Sequence, residues 1–214
     1  MELYSPITDG LVFSMQGGTL FDSAKNNVIT NNGATLTTDH NGRAGRGWAF
    51  ASSRQISFPI LNTYSNIENV NTTIISLKTG SDVTTRQGVF ITMDTTAARF
   101  YIQILFEKII FGTRDGSGGH NNTASALTAN TQYHFAFVNL GHSVGKVIYV
   151  NGVPAAALAG EVLASGLNDS VIIGGTNGVI ANPMLGTTID TVACYSRDLT
   201  ATEIQYNYNW WLSH

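Results

Sequence analysis

The acidic residues are the first candidates for chemistry, because two carboxyl groups can act as nucleophile and general acid in glycoside hydrolysis. Retaining glycosidases hold these groups about 5 Å apart. Acids at alternate positions of a strand point to the same face and would supply such a pair. No glutamate is followed by an acid two positions later; the glutamates are Glu2, Glu68, Glu107, Glu161 and Glu203. The sequence therefore lacks this catalytic signature.

The five histidines form no known catalytic or zinc-binding motif. The chain has no His-x-His or His-Glu-x-x-His spacing for zinc, and no Gly-x-Ser-x-Gly turn that would expose a nucleophilic serine. His134 lies within an aromatic strand, which favours a hydrogen-bonded structural histidine. The alternative of an active site assembled from residues far apart in the sequence is left open, but the sequence predicts a protein that is not an enzyme.

Residues 112–123 are the most polar stretch of the chain, and they include Arg114, Asp115, His120 and Asn122. Two interpretations are open. One is a mobile hairpin tip. The other is a ligand-binding loop that uses these four side chains, because loops on a rigid scaffold often carry binding residues.

The elements that would position these residues are mostly strands. Residues 146–150 are a β-branched run that ends at Asn151-Gly152, and Asn-Gly between two apolar runs predicts a type I′ hairpin turn. In the preceding run, residues 132–140, aromatic side chains alternate with small apolar ones, which predicts a strand covered on both faces. Similar short runs recur between Gly, Ser, Asp and Thr segments, a spacing typical of an all-β sandwich.

One helix is predicted at the C-terminus. Thr200 and Glu203 have the spacing of a capping box, in which each side chain accepts a hydrogen bond from the other residue's backbone N–H. The apolar stripe that follows is Ile204, Tyr208 and Trp211. Trp210 lies off this stripe. It is a candidate oligomer or ligand contact, with local packing at the helix end as the alternative.

Composition limits the partners and the domain organisation. The chain has 214 residues, a net charge of −3 and 12% charged residues, so neither nucleic acid nor membrane insertion is expected. Its length fits one β-sandwich domain over residues 1–214.

Cys194 is the only cysteine, and we interpret it as a small buried apolar residue rather than a reactive thiol. The N-terminus shows no signal peptide, so we expect export by another route, such as lysis, or a mature or excised domain.

An ordered set of short motifs resembles a known family. The motifs are Tyr149-Val-Asn-Gly152, Ile173-Gly174, Gly186-Thr-Thr-Ile-Asp-Thr-Val-Ala-Cys-Tyr-Ser-Arg-Asp-Leu199 and Glu203-Ile204. The set resembles the laminin G-like, pentraxin-like branch of the concanavalin A-like lectin/glucanase superfamily. The resemblance implies an all-β fold, a two-sheet antiparallel jelly-roll sandwich with a short C-terminal helix. It also places Trp48 in the core, on the same face as Phe50, rather than at a sugar-stacking surface.

The resemblance further implies a calcium ion as a cofactor. Asp190 matches an aspartate on the final strand that serves as a calcium ligand in the glucanase branch. One carboxylate with carbonyl groups and water would make a weak structural site, since calcium takes six to eight oxygen ligands. The alternative is that Asp190 caps backbone N–H groups or pairs with Arg197.

The function expected from this resemblance is a non-catalytic recognition module that binds a glycan or another ligand on a cell or particle surface. A first alternative is a structural or adhesion component of a phage particle, such as a capsid decoration or tail-fibre domain, acting as a homo-oligomer. A second alternative is a diverged glycan-active enzyme. The expected location is extracellular or on a virion surface.

Overall fold

The fold is a sandwich of two antiparallel sheets. A computed structural model of the chain describes residues 7–51, 54–59, 70–93, 98–114, 119–124, 126–141, 144–159, 170–175, 184 and 186–214. The elements in chain order are β1 (Leu11–Gln16), β2 (Thr30–Asn32), β3 (Thr35–Thr37), β4 (Gly47–Ala49), β5 (Gln55–Pro59), β6 (Asn71–Lys78), β7 (Gln87–Met93), β8 (Ala98–Leu105), β9 (Lys108–Arg114), β10 (Gly119–Ala124), β11 (Gln132–Asn139), β12 (Gly145–Val150), β13 (Val153–Ala159), β14 (Ser170–Ile173), β15 (Thr188–Tyr195) and α1 (Ala201–Ser213). No helix in the described part of the chain is long and apolar enough to cross a membrane.

The strands pair in an order that differs from their order in the sequence. The eight-stranded sheet runs β13-β12-β11-β6-β15-β4-β3, and β1 also pairs with β15. The seven-stranded sheet runs β10-β9-β8-β7-β14-β5-β2. This arrangement confirms the predicted all-β sandwich with a C-terminal helix.

The core lies between the two sheets and is rich in aromatic side chains. A chain of ring contacts crosses it, with centroid separations of 3.9 to 6.4 Å, through Phe13, Phe58, Phe90, Phe100, Phe111 and Phe137. Trp48 and Cys194 belong to the same buried cluster, which confirms both predictions of core positions. Burial of these side chains is the main force that holds the sheets together.

Strand β11 is covered on both faces, as its alternating pattern predicts. Phe135 and Phe137 point into the core between the sheets, whereas Ala136 and Val138 belong to a second cluster on the outer face of the eight-stranded sheet. Ile204 of α1 packs in this second cluster. The helix therefore covers the outer face of the eight-stranded sheet.

The predicted turn and helix cap are both present. Asn151 and Gly152 have φ angles of 51° and 80°, the left-handed values that a type I′ turn needs, and they join β12 to β13. At the start of α1, the Thr200 hydroxyl accepts from the Glu203 N–H, while the Glu203 carboxylate accepts from the Thr200 N–H. The capping box is thus confirmed.

The polar stretch at residues 112–123 differs from the predicted loop. Most of it lies in β9 and β10, which pair from Arg114 with Gly119 to Ile109 with Ala124. Polar residues can form a β-ladder when an adjacent strand supplies the partners, because the ladder uses backbone groups. The short polar strands β2 and β3 likewise carry no hydrophobic alternation that would predict them.

Candidate functional site

A cleft of about 120 Å³ lies between the C-terminal end of α1, the turn at residues 39–46 and the strands β1 and β15. We call it the helix cleft. It is lined by Gln16, Gly17, Asp39, His40, Arg43, Arg46, Asp190, Thr191, Trp210, Trp211 and His214. These residues come from four separate parts of the sequence, so only the folded chain brings them together.

Asp39 organises the turn that forms one wall of the helix cleft. Its carboxylate accepts hydrogen bonds from the backbone N–H groups of Asn41 and Arg43 at 3.0 and 2.9 Å, and from Arg43 Nε at 2.6 Å. Burial alone would raise the pKa of Asp39, but hydrogen bonds and the charge of Arg43 outweigh it and lower that pKa. Asp39 is therefore a carboxylate committed to holding the turn.

His40 connects this turn to β15 and to α1. Its backbone N–H donates to Asp190 Oδ2 at 3.1 Å, and its Nδ1 lies 3.2 Å from the same oxygen. Its Nε2 lies 2.8 Å from the backbone oxygen of Trp211, and the two rings pack with centroids 4.2 Å apart. The imidazole thus links three elements at the base of the cleft.

The His40–Asp190 pair has the composition of a proton-transfer pair but the surroundings of a structural link. Both side chains are 6% exposed. Burial raises the pKa of Asp190, and hydrogen bonds and charge from His40 offset only part of that rise. Both nitrogens of the imidazole face protein oxygens, so neither is directed at a ligand. The pair therefore positions the walls of the helix cleft.

Trp210 and His214 form a flat aromatic surface in the cleft wall. Their rings stack with centroids 4.5 Å apart and an angle of 13° between planes, and His214 Nδ1 lies 3.0 Å from the backbone oxygen of Trp210. Trp210 is half-buried and His214 is exposed. An indole that is held by a stacked neighbour and only half-buried in a cleft wall suits contact with a ligand.

Two arginines stand at the rim of the helix cleft. The Arg43 side chain is 48% exposed, and its bond to Asp39 uses Nε alone. Arg46 is also exposed, and its guanidinium forms no ion pair with a residue of the described chain. Its backbone is fixed, however, because the Arg46 N–H donates to the Thr37 carbonyl at 3.0 Å.

Asp190 was predicted as a calcium ligand, with backbone capping or pairing with Arg197 as alternatives. It accepts from the His40 N–H, so the capping alternative is confirmed. The Arg197 alternative is wrong, because Arg197 pairs with Glu203 and Asp9 instead. In the ranges that the structure describes, no three His, Cys, Asp or Glu side chains converge on a metal position. Asp190 Oδ1 is buried without a partner, and calcium binding through this oxygen with backbone carbonyls and water stays a prediction.

Among the four residues of the predicted ligand loop, Asn122 is the one whose side chain the structure describes, and it does not line the helix cleft. Asn122 is buried, and its amide donates to the carbonyls of Lys146 and Ala156 at 3.3 Å. It faces inward, so the prediction that Asn122 contacts a ligand needs correction: it joins β10 to β12 and β13. Arg114 and His120 lie in paired strands, Asp115 lies outside the described residues, and ligand contacts by these three stay a prediction.

Sequence reasoning found Trp210 and Asp190 but missed the turn that completes the site. Asp39, His40 and Arg43 lie in a short polar segment, Asp39-His-Asn-Gly-Arg43, whose Asp and Asn-Gly residues are turn signals. That signal predicts a turn but not its partners. His40 is 150 residues from Asp190 and 171 residues from Trp211.

Solved structures that resemble this fold include binding domains of botulinum neurotoxins. One is a structure of botulinum neurotoxin type C, whose cell entry is described as dependent on interaction with two ganglioside molecules (12% identity, TM-score 0.77, covering 95% of this chain and 51% of that chain). A second is the serotype D ligand-binding domain in complex with N-acetylneuraminic acid (14% identity, TM-score 0.75, covering 95% and 51%). A third is the neurotoxin DC binding domain in complex with rat synaptotagmin II (13% identity, TM-score 0.77, covering 95% and 52%). At these identities the likeness shows the fold. This chain spans about half the length of those domains.

A comparison with curated proteins found no match. The family comparison matched residues 65–205, which contain β6 to β15 and the start of α1, to the laminin G-like family of the concanavalin A-like lectin/glucanases superfamily. The match covers most of both sheets and includes the motifs from Tyr149 to Glu203. The chain therefore belongs to the concanavalin A-like lectin/glucanases superfamily.

Proposed function

We propose that this protein is a non-catalytic recognition module that binds a saccharide in the helix cleft. The observation that carries the proposal is the half-buried indole of Trp210 in the wall of a concave, mostly polar cleft. A sugar ring offers C–H groups that pack on an indole face and hydroxyl groups that hydrogen-bond to polar neighbours. Gln16, Thr191 and the two arginines supply such neighbours.

The comparisons support a binding role in general terms. The neurotoxin structures are described with gangliosides, N-acetylneuraminic acid and synaptotagmin as ligands. A glycan or protein ligand for this chain would agree with the ligands of these proteins of similar fold. Because this chain matches only about half of each domain, those ligands belong to the whole neurotoxin domain. The place of binding in this chain is argued from the helix cleft itself.

A direct test is to replace the aromatic surface. The protein is first screened on an array of neutral and acidic oligosaccharides, and the affinity for the strongest binder is then measured by calorimetry. We expect Trp210→Ala to weaken that affinity at least about tenfold, because loss of one stacking residue at the centre of an interface often removes 2 kcal/mol or more.

Tyr206→Ala is the matched control, because Tyr206 is an exposed aromatic residue of the same helix outside the cleft. It should leave the affinity within about twofold of the wild type. Unchanged binding by Trp210→Ala, or no binding of any saccharide by the wild type, would refute the proposal. Release of shortened sugars during the screen would instead indicate a glycan-active enzyme.

A second candidate function is a subunit of a larger assembly, such as a phage particle. Large apolar side chains are exposed on α1 and on the neighbouring β-hairpin: Val153, Tyr206 and Leu212 are 59%, 54% and 51% exposed. Val153 and Tyr206 line one shallow groove, and exposed apolar residues that lie close together are typical of contact with another protein. Either function would place the protein outside the cell or on a virion surface.

Calcium binding through Asp190 also remains a prediction. Its test is the melting temperature before and after addition of a chelator.

A further inference from the structure

We infer that the saccharide bound in the helix cleft carries a carboxylate or sulfate group, held by the guanidinium groups of Arg43 and Arg46. This inference rests on the proposed function and specifies its ligand. Its basis is the unequal exposure of acidic and basic groups in one cleft.

The acidic groups of the cleft are buried and occupied. The Asp39 side chain is 3% exposed and accepts three hydrogen bonds from its own turn. The Asp190 side chain is 6% exposed and faces His40, and its second oxygen is enclosed by protein. Neither carboxyl group therefore presents negative charge to a ligand.

The basic groups of the cleft are exposed and largely unused. Arg43 donates one hydrogen bond through Nε, although a guanidinium has five N–H donors. Arg46 carries no ion pair with any described residue. The charge that a ligand meets is therefore positive, on a protein whose net charge is −3.

Guanidinium groups suit this ligand class for a geometric reason. Their planar N–H groups match the oxygen atoms of a carboxylate, phosphate or sulfate and donate two parallel hydrogen bonds. Two backbone hydrogen bonds fix the turn that carries both arginines: the Arg43 N–H donates to the Asp39 carboxylate, and the Arg46 N–H donates to the Thr37 carbonyl. Trp210 would then stack with the sugar ring while the arginines bind its acidic substituent.

The experiment compares matched saccharides that differ only in the acidic group. Lactose and 3′-sulfolactose form one such pair, 3′-sialyllactose and its carboxyl methyl ester form another, and an array extends the comparison to other neutral sugars and their sulfated or carboxylated forms. We expect the acidic members to bind at least about tenfold more tightly than the neutral ones at low ionic strength. The preference should shrink as salt is added, because salt screens exposed charges.

Arg46→Gln should remove most of this preference, so that the acidic and neutral members of a set bind with similar affinities. Arg54→Gln is the control, because it makes the same change of charge at an exposed position outside the cleft, and it should keep the preference.

Equal binding of neutral and acidic sugars by the wild type would overturn this inference and leave the proposed function intact. A preference that survives Arg46→Gln and Arg43→Gln, with melting temperatures unchanged, would overturn the assignment to these arginines. If no saccharide binds, both the inference and the proposed function fail.

Discussion

His134 is a buried histidine, and one of its ring nitrogens lacks a protein partner. The histidine is buried, and burial lowers its pKa to about 3, so its imidazole is neutral near pH 7. The sequence predicts a hydrogen-bonded histidine, yet Nδ1 has no protein partner, and neither do Ser76 Oγ and Trp211 Nε1. All three residues line a cavity of about 20 Å³ under α1. A cavity that holds one water needs about 10–15 Å³ and two to four polar partners.

We therefore expect one ordered water in this cavity, within about 3.2 Å of the three polar atoms. A high-resolution crystal structure would show it. Ser76→Ala should lower the free energy of unfolding by about 1 kcal/mol, since it removes one hydrogen bond to that water. Ser14→Ala is the matched control: Ser14 Oγ is also buried without a partner, but it lies outside the cavity, and its loss should not destabilise the protein. Equal effects of the two substitutions in chemical denaturation would contradict the bound water.

At the scale of elements, the position of α1 decides whether the helix cleft exists. The helix is fixed at its start by Arg197, which contacts Glu203 at 2.6 Å and Asp9 at 3.0 Å. It is fixed near its end by the contact of His40 with Trp211. Trp210 lies one residue before Trp211, so movement of the helix end would move the aromatic wall of the cleft.

The attachment at the start of α1 predicts a dependence of stability on pH. The hydrogen bonds from Arg197, followed by those of the helix cap, lower the pKa of Glu203 to about 2. The stabilisation from ionised Glu203 is fully present above its unfolded pKa near 4.5 and is lost as the pH falls towards 2. Glu203→Gln should therefore cost about 1 kcal/mol at pH 7, the usual value of a helix cap, and progressively less below pH 4.5.

Urea unfolding of both proteins at several pH values checks this expectation. Glu107→Gln serves as the control, because Glu107 is an exposed acid in the turn between β8 and β9. It should change the free energy of unfolding by less than about 0.5 kcal/mol. A constant difference between wild type and Glu203→Gln from pH 7 to pH 3 would contradict the role of the carboxylate.

At the scale of the whole molecule, the two sheets and their aromatic core form a rigid base, and the proposed function lies at its surface. The helix cleft borders β1 and β15 of the eight-stranded sheet, whose inner faces are buried in the core. Rigid strands hold the base of the cleft in place, while the turn at residues 39–46 and α1 supply its side chains. This division between scaffold and site is usual for binding proteins.

The mass in solution separates the two candidate functions at this scale. We expect light scattering to give the monomer mass of 22.9 kDa over a wide range of concentration, because residues of a single chain form the whole helix cleft. A symmetric oligomer would favour the assembly component. In that case, Leu212→Asp and Tyr206→Asp should dissociate it, whereas Lys108→Asp, an exposed change on the seven-stranded sheet, should not.

Features that depend on neighbours along the chain could be predicted from the sequence. The turn at Asn151-Gly152 follows from backbone preferences of two adjacent residues, and the helix cap follows from Thr200 and Glu203, three positions apart. The alternation in β11 likewise predicted which side chains enter the core. These local patterns, with the family motifs, were sufficient for the fold.

The assembly of the candidate site depends on contacts between distant segments and could not be predicted from the sequence. Asp190 and Trp210 were singled out separately, but nothing near either residue in the sequence indicates His40 as the residue that links them. The contacts join residues 150 and 171 positions apart, and such contacts leave no periodic or local signal. Asn122 illustrates the same limit, because a polar residue in a polar stretch is buried once β12 and β13 supply its acceptors. The fold thus follows from interactions between near neighbours in the sequence, whereas the cleft arises from packing between segments that are far apart.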